Sequence, residues 1–148
     1  MNAHEIDALL REQMLCRIAF QDTPYPYIAP FQYAYLRNTL YFHFTNYGKK
    51  LQLLERDHHV CVEIERIQPD LRAYDFVSLR GTLHPVHDPA ERRAVIQRMA
   101  DEGRRRLSPN FLAAHGLSPA AGWSAFIPET AYLIYKLDRR EQIGIKSP

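Results

Sequence analysis

The chain is poor in several features, and each scarcity excludes a class of protein. Its 148 residues include two cysteines, Cys16 and Cys61, which lie far apart and inside predicted strands. This spacing excludes a disulfide framework, a metal knuckle and a close redox pair, so we expect both thiols to be reduced and buried. No apolar run is long enough to cross a bilayer, and the N-terminus lacks the basic start and apolar stretch of a secretion signal. We therefore predict a cytoplasmic protein with no membrane partner.

Charge of one sign is also scarce. The formal net charge is +2, from 19 lysines and arginines against 17 acidic residues, which is too small to imply a nucleic-acid partner. The strongest basic run is the arginine triplet at residues 104–106. It could serve a nucleic-acid-associated regulator, but a solvated helix end is the expected reading. Length and an apolar fraction of 46% fit one globular domain over residues 1–148.

The periodicity of apolar residues predicts more strand than helix. Alternation of apolar and polar residues predicts six strands, at residues 16–21, 26–35, 40–45, 60–65, 74–85 and 130–138. Helical spacing and capping residues predict helices at 2–14, 47–56 and 88–103, with a short helix near 110–115. Because strands and helices do not alternate regularly, we expect a mainly β (α+β) fold. A small closed antiparallel barrel with flanking helices fits this order better than a doubly wound sheet.

The segment at residues 41–54, YFHFTNYGKKLQLL, carries the most specific chemical signal. A predicted strand runs directly into a helix whose N-cap is expected to be Asn46. Lys49 and Lys50 then fall in the first helical turn, where free amides and the helix dipole already make the surroundings positive. A bound anion would reverse this unfavourable arrangement, and phosphate is the commonest small anion held in this way. The alternative is that both lysines are ordinary solvated surface.

Two prolines mark the preceding strand as unusual. Pro26 and Pro30 stand inside the predicted strand at residues 26–35. Because proline cannot donate a hydrogen bond to a neighbouring strand, this segment is expected to be an edge or a bulge. Some of its backbone groups are then free to contact something else.

The order of these motifs resembles a known family. CRIAF, YPYIAPFQYAY, YFHFTNYGKKLQLL, HHVCVEIE and YDFVSLRGTLHPV follow one another as in the pyridoxamine 5'-phosphate oxidase-related proteins, whose fold is the FMN-binding split barrel. The resemblance is nearest to the nitroimidazole-resistance-type subgroup and covers about residues 6–98. Its strongest elements are the PY-hydrophobic-x-P strand at 26–30 and the YFH…GKK unit at 41–51.

This resemblance implies a homodimer with FMN bound in clefts at the subunit interface. The flavin phosphate would be held by Lys49 and Lys50, and the strand at 27–31 would pass beside the isoalloxazine ring. The implied cofactor contacts are Tyr27, Ile28, Ala29, Pro30, His43, Phe44, Thr45, Asn46, Lys49, Lys50 and Ser78. One position departs from the family pattern, since Phe76 stands where a serine is usual. Ser78 and Arg80 are the two candidates to supply the missing contact.

The resemblance further implies an oxidoreductase that acts on a small planar substrate, with a nicotinamide nucleotide as a candidate electron donor. No catalytic residue is assigned. His43 either orients substrate over the ring or is an ordinary half-buried histidine. A second hypothesis keeps the barrel but makes it a non-catalytic module, or one that holds haem or a deazaflavin, with His43 or His84 as a candidate iron ligand. No structural metal is expected, because the adjacent His58 and His59 point to opposite sides of a strand.

Three other groups of residues have structural interpretations. Glu63 and Glu65 share one strand face, which is typical of a solvated face or of ion pairing at an interface. Trp123 and Phe126 lie in the irregular segment after residue 108 and are expected to plug the core rather than cover a cofactor. The tyrosines between 25 and 35 are expected to pack against the sheet or a dimer partner, because no basic groove accompanies them.

Overall fold

The computed structural model describes residues 1–148 and confirms a closed six-stranded antiparallel barrel with flanking helices. The strands are β1 (Leu15–Phe20), β2 (Tyr27–Leu36), β3 (Thr39–Phe44), β4 (His59–Ile67), β5 (Tyr74–Pro85) and β6 (Leu133–Lys146). Their order around the barrel is β1-β2-β3-β6-β5-β4, so the last strand is inserted between β3 and β5. Every pairing between neighbours is antiparallel.

Three α-helices flank the barrel. They are α1 (Ala3–Glu12), α2 (Lys49–Arg56) and α3 (Pro89–Arg106), and short 3-10 turns follow at Pro109–His115, Pro119–Ala121 and Trp123–Ala125. The predicted capping box of α1 is present, since Asn2 and Glu5 exchange side-chain and backbone hydrogen bonds. None of the helices combines the length and the apolar character that crossing a bilayer requires.

Strand β3 buries its two faces in two separate cores. Leu40, Phe42 and Phe44 point into the barrel, whereas Tyr41 belongs to a second core outside it. This second core is covered by α3 and by the 3-10 segment that follows. Trp123 and Phe126 are buried in this second core, as expected for core plugs. Two-sided burial explains why β3 is apolar at almost every position.

The barrel is split between β2 and β3. The first half of β2 pairs with β1, from Tyr27 opposite Phe20 to Gln32 opposite Leu15. Its second half pairs with β3, but this ladder ends at the pair Tyr33 and Phe42. The backbone of residues 27–32 therefore has no partner on the β3 side. The prediction of a proline-interrupted segment with an open edge is confirmed at this point.

Two predicted boundaries are wrong. The helix expected over residues 47–56 begins at Lys49, and its N-cap is Gly48 at φ 95° rather than Asn46. The strand expected to end at residue 138 continues to Lys146, because β5 offers a partner along its whole length. The pairing shifts between Arg80 and Gly81, where the chains are so close that a Cβ on Gly81 would lie 2.1 Å from the carbonyl oxygen of Asp138.

Candidate functional site at the split

The split brings most of the predicted cofactor contacts to one end of the barrel. Helix α2 closes this end with Leu53 and Leu54, which pack into the barrel core. Its first residues then lie beside the open edge of β2, because the ammonium of Lys50 stands 4.9 Å from the ring centre of Phe31. Strand β3, the loop after it and the first half of β2 thus meet around the start of α2.

The two lysines have different environments. Lys49 is exposed and pairs with Asp22 at 3.1 Å, and its ammonium also lies 5.1 Å from the ring centre of Tyr27. Lys50 is half-buried and has no carboxylate within 4 Å of its ammonium. Loss of hydration lowers the pKa of Lys50. Lys50 is therefore the cation that most lacks a compensating anion.

The start of α2 adds to this positive region. No side chain caps the helix and no acidic residue lies in its first turn, whereas Asn2 caps α1 and Asp88 caps α3. The first backbone amides of a helix have no partner within it, and they carry the positive end of the dipole. Gly48 lets the chain turn into the helix at a φ of 95°, a backbone conformation that larger residues rarely adopt. The local arrangement fits a bound anion.

The remaining predicted contacts near the split fall into two groups. Ile28 and Pro30 point outward from β2 and are exposed, and Asn46 is exposed in the loop. The hydroxyl of Thr45 donates to the Tyr47 carbonyl at 2.9 Å and keeps its oxygen lone pairs free to accept. In contrast, the side chains of Ala29 and Phe44 pack inside the barrel. These two can offer a ligand only their backbone groups.

Ser78 is not part of this cluster. Successive pairings place Pro30, Arg17, Glu63 and Ser78 in one row on the outer wall. Three strand spacings of about 4.8 Å separate Pro30 from Ser78, which is roughly 14 Å. Within one protomer, Ser78 and the start of α2 therefore do not share a small ligand. Cys61 also lies on this wall, 3.3 Å from the Ser78 hydroxyl, and it is half-buried rather than buried as predicted.

Acidic and basic side chains on this outer wall pair with one another. Arg17 donates to Glu63 at 3.1 Å and to Glu65 at 2.7 Å, so both glutamates form ion pairs within the chain on the outer face of the sheet. The arginine triplet at the end of α3 likewise pairs with Asp101 and Glu102 of its own helix. Neither group leaves an unpaired cluster of one charge sign.

His43 belongs to a buried polar chain that the sequence did not reveal. Its Nδ1 lies 2.9 Å from Nδ1 of His115, and Nε2 of His115 lies 2.7 Å from Oε1 of Gln32. The amide nitrogen of Gln32 donates to the Met99 carbonyl at 2.9 Å. Gln32 could have been noticed as the one polar residue in the run IAPFQYAY, whereas His115 lies in a segment with no periodicity.

The hydrogen-bonded side chains of Gln32, His115 and His43 lie at the position where the ladder between β2 and β3 ends. Had the pairing continued beyond Tyr33 and Phe42, Gln32 would face His43 directly. Their side chains are instead joined through His115. Burial lowers the pKa of His43 to about 3, with smaller contributions from His115 and Lys50, and burial lowers the pKa of His115 to about 4. Both imidazoles are neutral at physiological pH.

His84, the other candidate iron ligand, lies elsewhere. Its Nε2 is 2.8 Å from the Thr82 hydroxyl, on the exposed end of β5, and its ring stacks on His58 at a centroid distance of 6.3 Å. His59 instead contacts Asp57 at 2.7 Å. These histidines do not converge with His43.

The closed barrel, the split between β2 and β3 and the helix that starts beside it define the chain as a split-barrel protein. A family model described as pyridoxamine 5'-phosphate oxidase matches residues 2–117. The chain belongs to this family, as its motifs predicted. No functionally curated protein matches it in sequence.

Solved structures share the fold at low sequence identity. An FAD-binding protein from Mesorhizobium loti matches with a TM-score of 0.71 and 20% identity, over 100% of this chain and 96% of that one. A protein described as a 5-nitroimidazole antibiotic resistance protein, from Bacteroides thetaiotaomicron, matches with a TM-score of 0.61 and 18% identity, over 97% and 82%. A heme binding protein from Mycobacterium smegmatis matches with a TM-score of 0.67 and 13% identity, over 93% and 50%. These likenesses establish the barrel.

Proposed function

We propose that this protein is an FMN-dependent oxidoreductase that acts on a small planar molecule, with the flavin phosphate bound at the start of α2. The observation that carries the proposal is Lys50, a residue of the uncapped first turn of α2 whose half-buried ammonium has no carboxylate partner. A phosphate dianion would satisfy both the cation and the amides through charge-assisted hydrogen bonds. Family membership and the FAD-binding relative of the same fold support a flavin as the bearer of that phosphate.

The protein's own residues would bind and orient the cofactor rather than react. Lys50 and the α2 amides would hold the phosphate, and Thr45 and Asn46 would add polar contacts next to it. The open backbone edge of residues 27–31 is suited to hydrogen bonds with a flat heterocycle. A flavin bound there would supply hydride or single-electron transfer, and a nicotinamide nucleotide is our candidate for the electron donor.

We further propose that the cleft is completed in a homodimer through the outer wall of the barrel. This wall exposes isoleucines on both sides of the Arg17 ion pairs. Ile28 of β2 is 61% exposed, and Ile143 and Ile145 of β6 are 50% and 57% exposed. Apolar residues at this density are more typical of an interface than of a solvated sheet. Ser78 lies on the same wall, so it would reach a flavin bound to the partner subunit.

The identity of the cofactor is tested by releasing the chromophore from purified protein and by rebinding. We expect a flavin spectrum and the mass of FMN in the denatured supernatant. Flavin-free protein should bind FMN at least 100-fold more tightly than riboflavin, because two charge-assisted hydrogen bonds contribute about 3 kcal/mol or more. Equal affinity for FMN and riboflavin would refute phosphate binding at α2. A Soret band would instead indicate a haem-binding module, and the spectrum of a deazaflavin would indicate that cofactor in place of FMN.

The dimer is tested with Ile143→Glu, which places a charge among the exposed isoleucines of the proposed interface. We expect the parent protein to have a mass of twice 17.3 kDa by light scattering and the variant to shift toward one chain with lower flavin content. Ile127→Glu is the matched control, because Ile127 is also exposed but lies outside this wall. A monomeric parent protein, or a variant that remains dimeric, contradicts the assignment of this wall.

A further inference from the structure

The three polar side chains that the fold buries most completely form a single chain. Gln32, His43 and His115 are 2%, 6% and 6% exposed, and no other polar residue reaches this degree of burial. They come from β2, β3 and the 3-10 turn at Pro109–His115. A buried polar chain of this kind is costly unless every member is hydrogen-bonded. Its arrangement therefore calls for a role beyond packing.

The hydrogen bonds in this chain have one consistent direction. The Met99 carbonyl can only accept, so the amide nitrogen of Gln32 faces it and Oε1 of Gln32 faces His115. Nε2 of His115 must then donate, which leaves its Nδ1 as an acceptor in the neutral ring. Nδ1 of His43 consequently carries a proton and donates to it. The interplanar angle of 24° between the rings suits this in-plane contact.

This direction leaves Nε2 of His43 as a bare acceptor. The atom has no hydrogen-bond partner in the protein, while every fully enclosed polar side-chain atom has one, so Nε2 is reachable from outside. His43 lines a cavity of about 200 Å³ between the loop after β3 and the segment before β6. Half of the residues that line the cavity are apolar. The apolar side chains in its wall come mainly from Tyr47, Leu117, Tyr132 and Leu133.

Size and chemistry together specify the ligand. A protein cavity of roughly 150 Å³ admits benzene, so about 200 Å³ accommodates one five- or six-membered ring but not a flavin. The aromatic wall favours a flat ring, and a lone imidazole acceptor favours an N–H or O–H donor on it. An anion is disfavoured here because the acceptor nitrogen presents a lone pair.

We propose that this cavity binds a small neutral aromatic ring through a hydrogen bond from its N–H or O–H to Nε2 of His43. Gln32 lies behind the cavity wall and His115 is part of that wall, but both ring nitrogens of His115 are already engaged, so both residues act by fixing the tautomer of His43. The cavity shares Thr45 and Asn46 with the proposed phosphate site, but a small neutral ring needs neither the phosphate nor the flavin, so its binding to flavin-free protein is tested separately from the flavin assignment.

Ligand selectivity is tested with pyrazole and isoxazole, two neutral rings of the same size of which only pyrazole has an N–H. We expect pyrazole to bind about fivefold to tenfold more tightly in calorimetric or NMR titrations at pH 7.5, since one hydrogen bond contributes about 1 kcal/mol. His43→Phe should abolish this preference. Equal affinities for the two rings in the parent protein, or no saturable binding of pyrazole, overturns the proposal.

The role of the positioning residues is tested through the histidine tautomers, which long-range ¹H–¹⁵N NMR distinguishes. We expect a proton on Nδ1 of His43 and on Nε2 of His115, while the exposed His4 and His87 exchange between tautomers. Gln32→Leu should lose the single tautomer of both buried rings and reduce the preference for pyrazole. Gln97→Leu, an exposed glutamine on α3, is the matched control. A proton on Nε2 of His43 in the parent protein contradicts the proposal without requiring any variant to fold.

Discussion

Replacement of Lys50 by methionine is expected to release the flavin, with FMN affinity reduced by about 10- to 150-fold. A hydrogen bond to a charged group contributes about 1.5–3 kcal/mol, and Lys50 has no carboxylate that would share its charge. Riboflavin affinity should change little, because riboflavin lacks the phosphate. Fluorescence titration of flavin-free protein with both compounds measures the two effects.

Lys49→Met is the matched control for this experiment. Lys49 already pairs with Asp22, so its loss should weaken FMN binding by a smaller factor than the loss of Lys50. Lys50→Met should also leave the stability of the flavin-free protein unchanged or raised, since it removes a desolvated ammonium. If FMN and riboflavin affinities fall equally in the Lys50 variant, the lysine does not hold the phosphate.

Acid is expected to unfold the protein steeply below pH 6.5, through protonation of His43 and His115. Both pKa values are depressed by burial, to about 3 and about 4, so the unfolded chain binds more protons below its own histidine pKa of about 6.5. The stability that these two histidines contribute is therefore fully present above pH 6.5 and is lost as the pH falls toward 4. For each histidine, the free energy of unfolding decreases by at most about 1.4 kcal/mol per pH unit. Urea unfolding between pH 4.5 and 7.5 measures it.

Replacing all three side chains of the buried hydrogen-bonded network with apolar ones separates the effect of these histidines from that of other acid-sensitive groups. The triple variant Gln32→Leu, His43→Phe and His115→Phe should be nearly independent of pH between 4.5 and 6.5, because no neutral buried imidazole remains to be protonated. Replacing all partners together avoids leaving one polar atom unpaired. His87→Gln, at an exposed position, should keep the parent slope. If the stability of the triple variant falls equally steeply with acid, groups other than these histidines cause the loss of stability.

The fold was largely predictable because its strands obey a simple period. Alternation in segments such as Val60 to Glu65 reports a half-buried strand whatever it pairs with. The capping boxes of α1 and α3 depend on residues three apart, so they too are visible locally. The extension of β6 to Lys146 was missed because its charged residues resemble a solvated tail. Only the long partner β5 makes that segment a strand.

The candidate site was predictable only in part. Local reasoning placed Lys49 and Lys50 in the first turn of a helix, although it gave the N-cap to Asn46 rather than Gly48. It treated the two lysines as a pair, whereas Asp22, 27 residues before Lys49, neutralises one of them. The hydrogen bonds among Gln32, His43 and His115 join residues up to 83 positions apart, and no periodicity in the sequence indicates them.

The sequence alone determined the six strands, the proline-opened edge of residues 27–31, the cationic first turn of α2 and the family to which the chain belongs. These properties depend on backbone preferences and on side chains a few residues apart. The tertiary structure decided which lysine lacks a counterion, which histidine nitrogen faces a cavity and which predicted contact, Ser78, lies three strands away. Such properties depend on burial and on distances between remote segments, and these exist only once the barrel has closed.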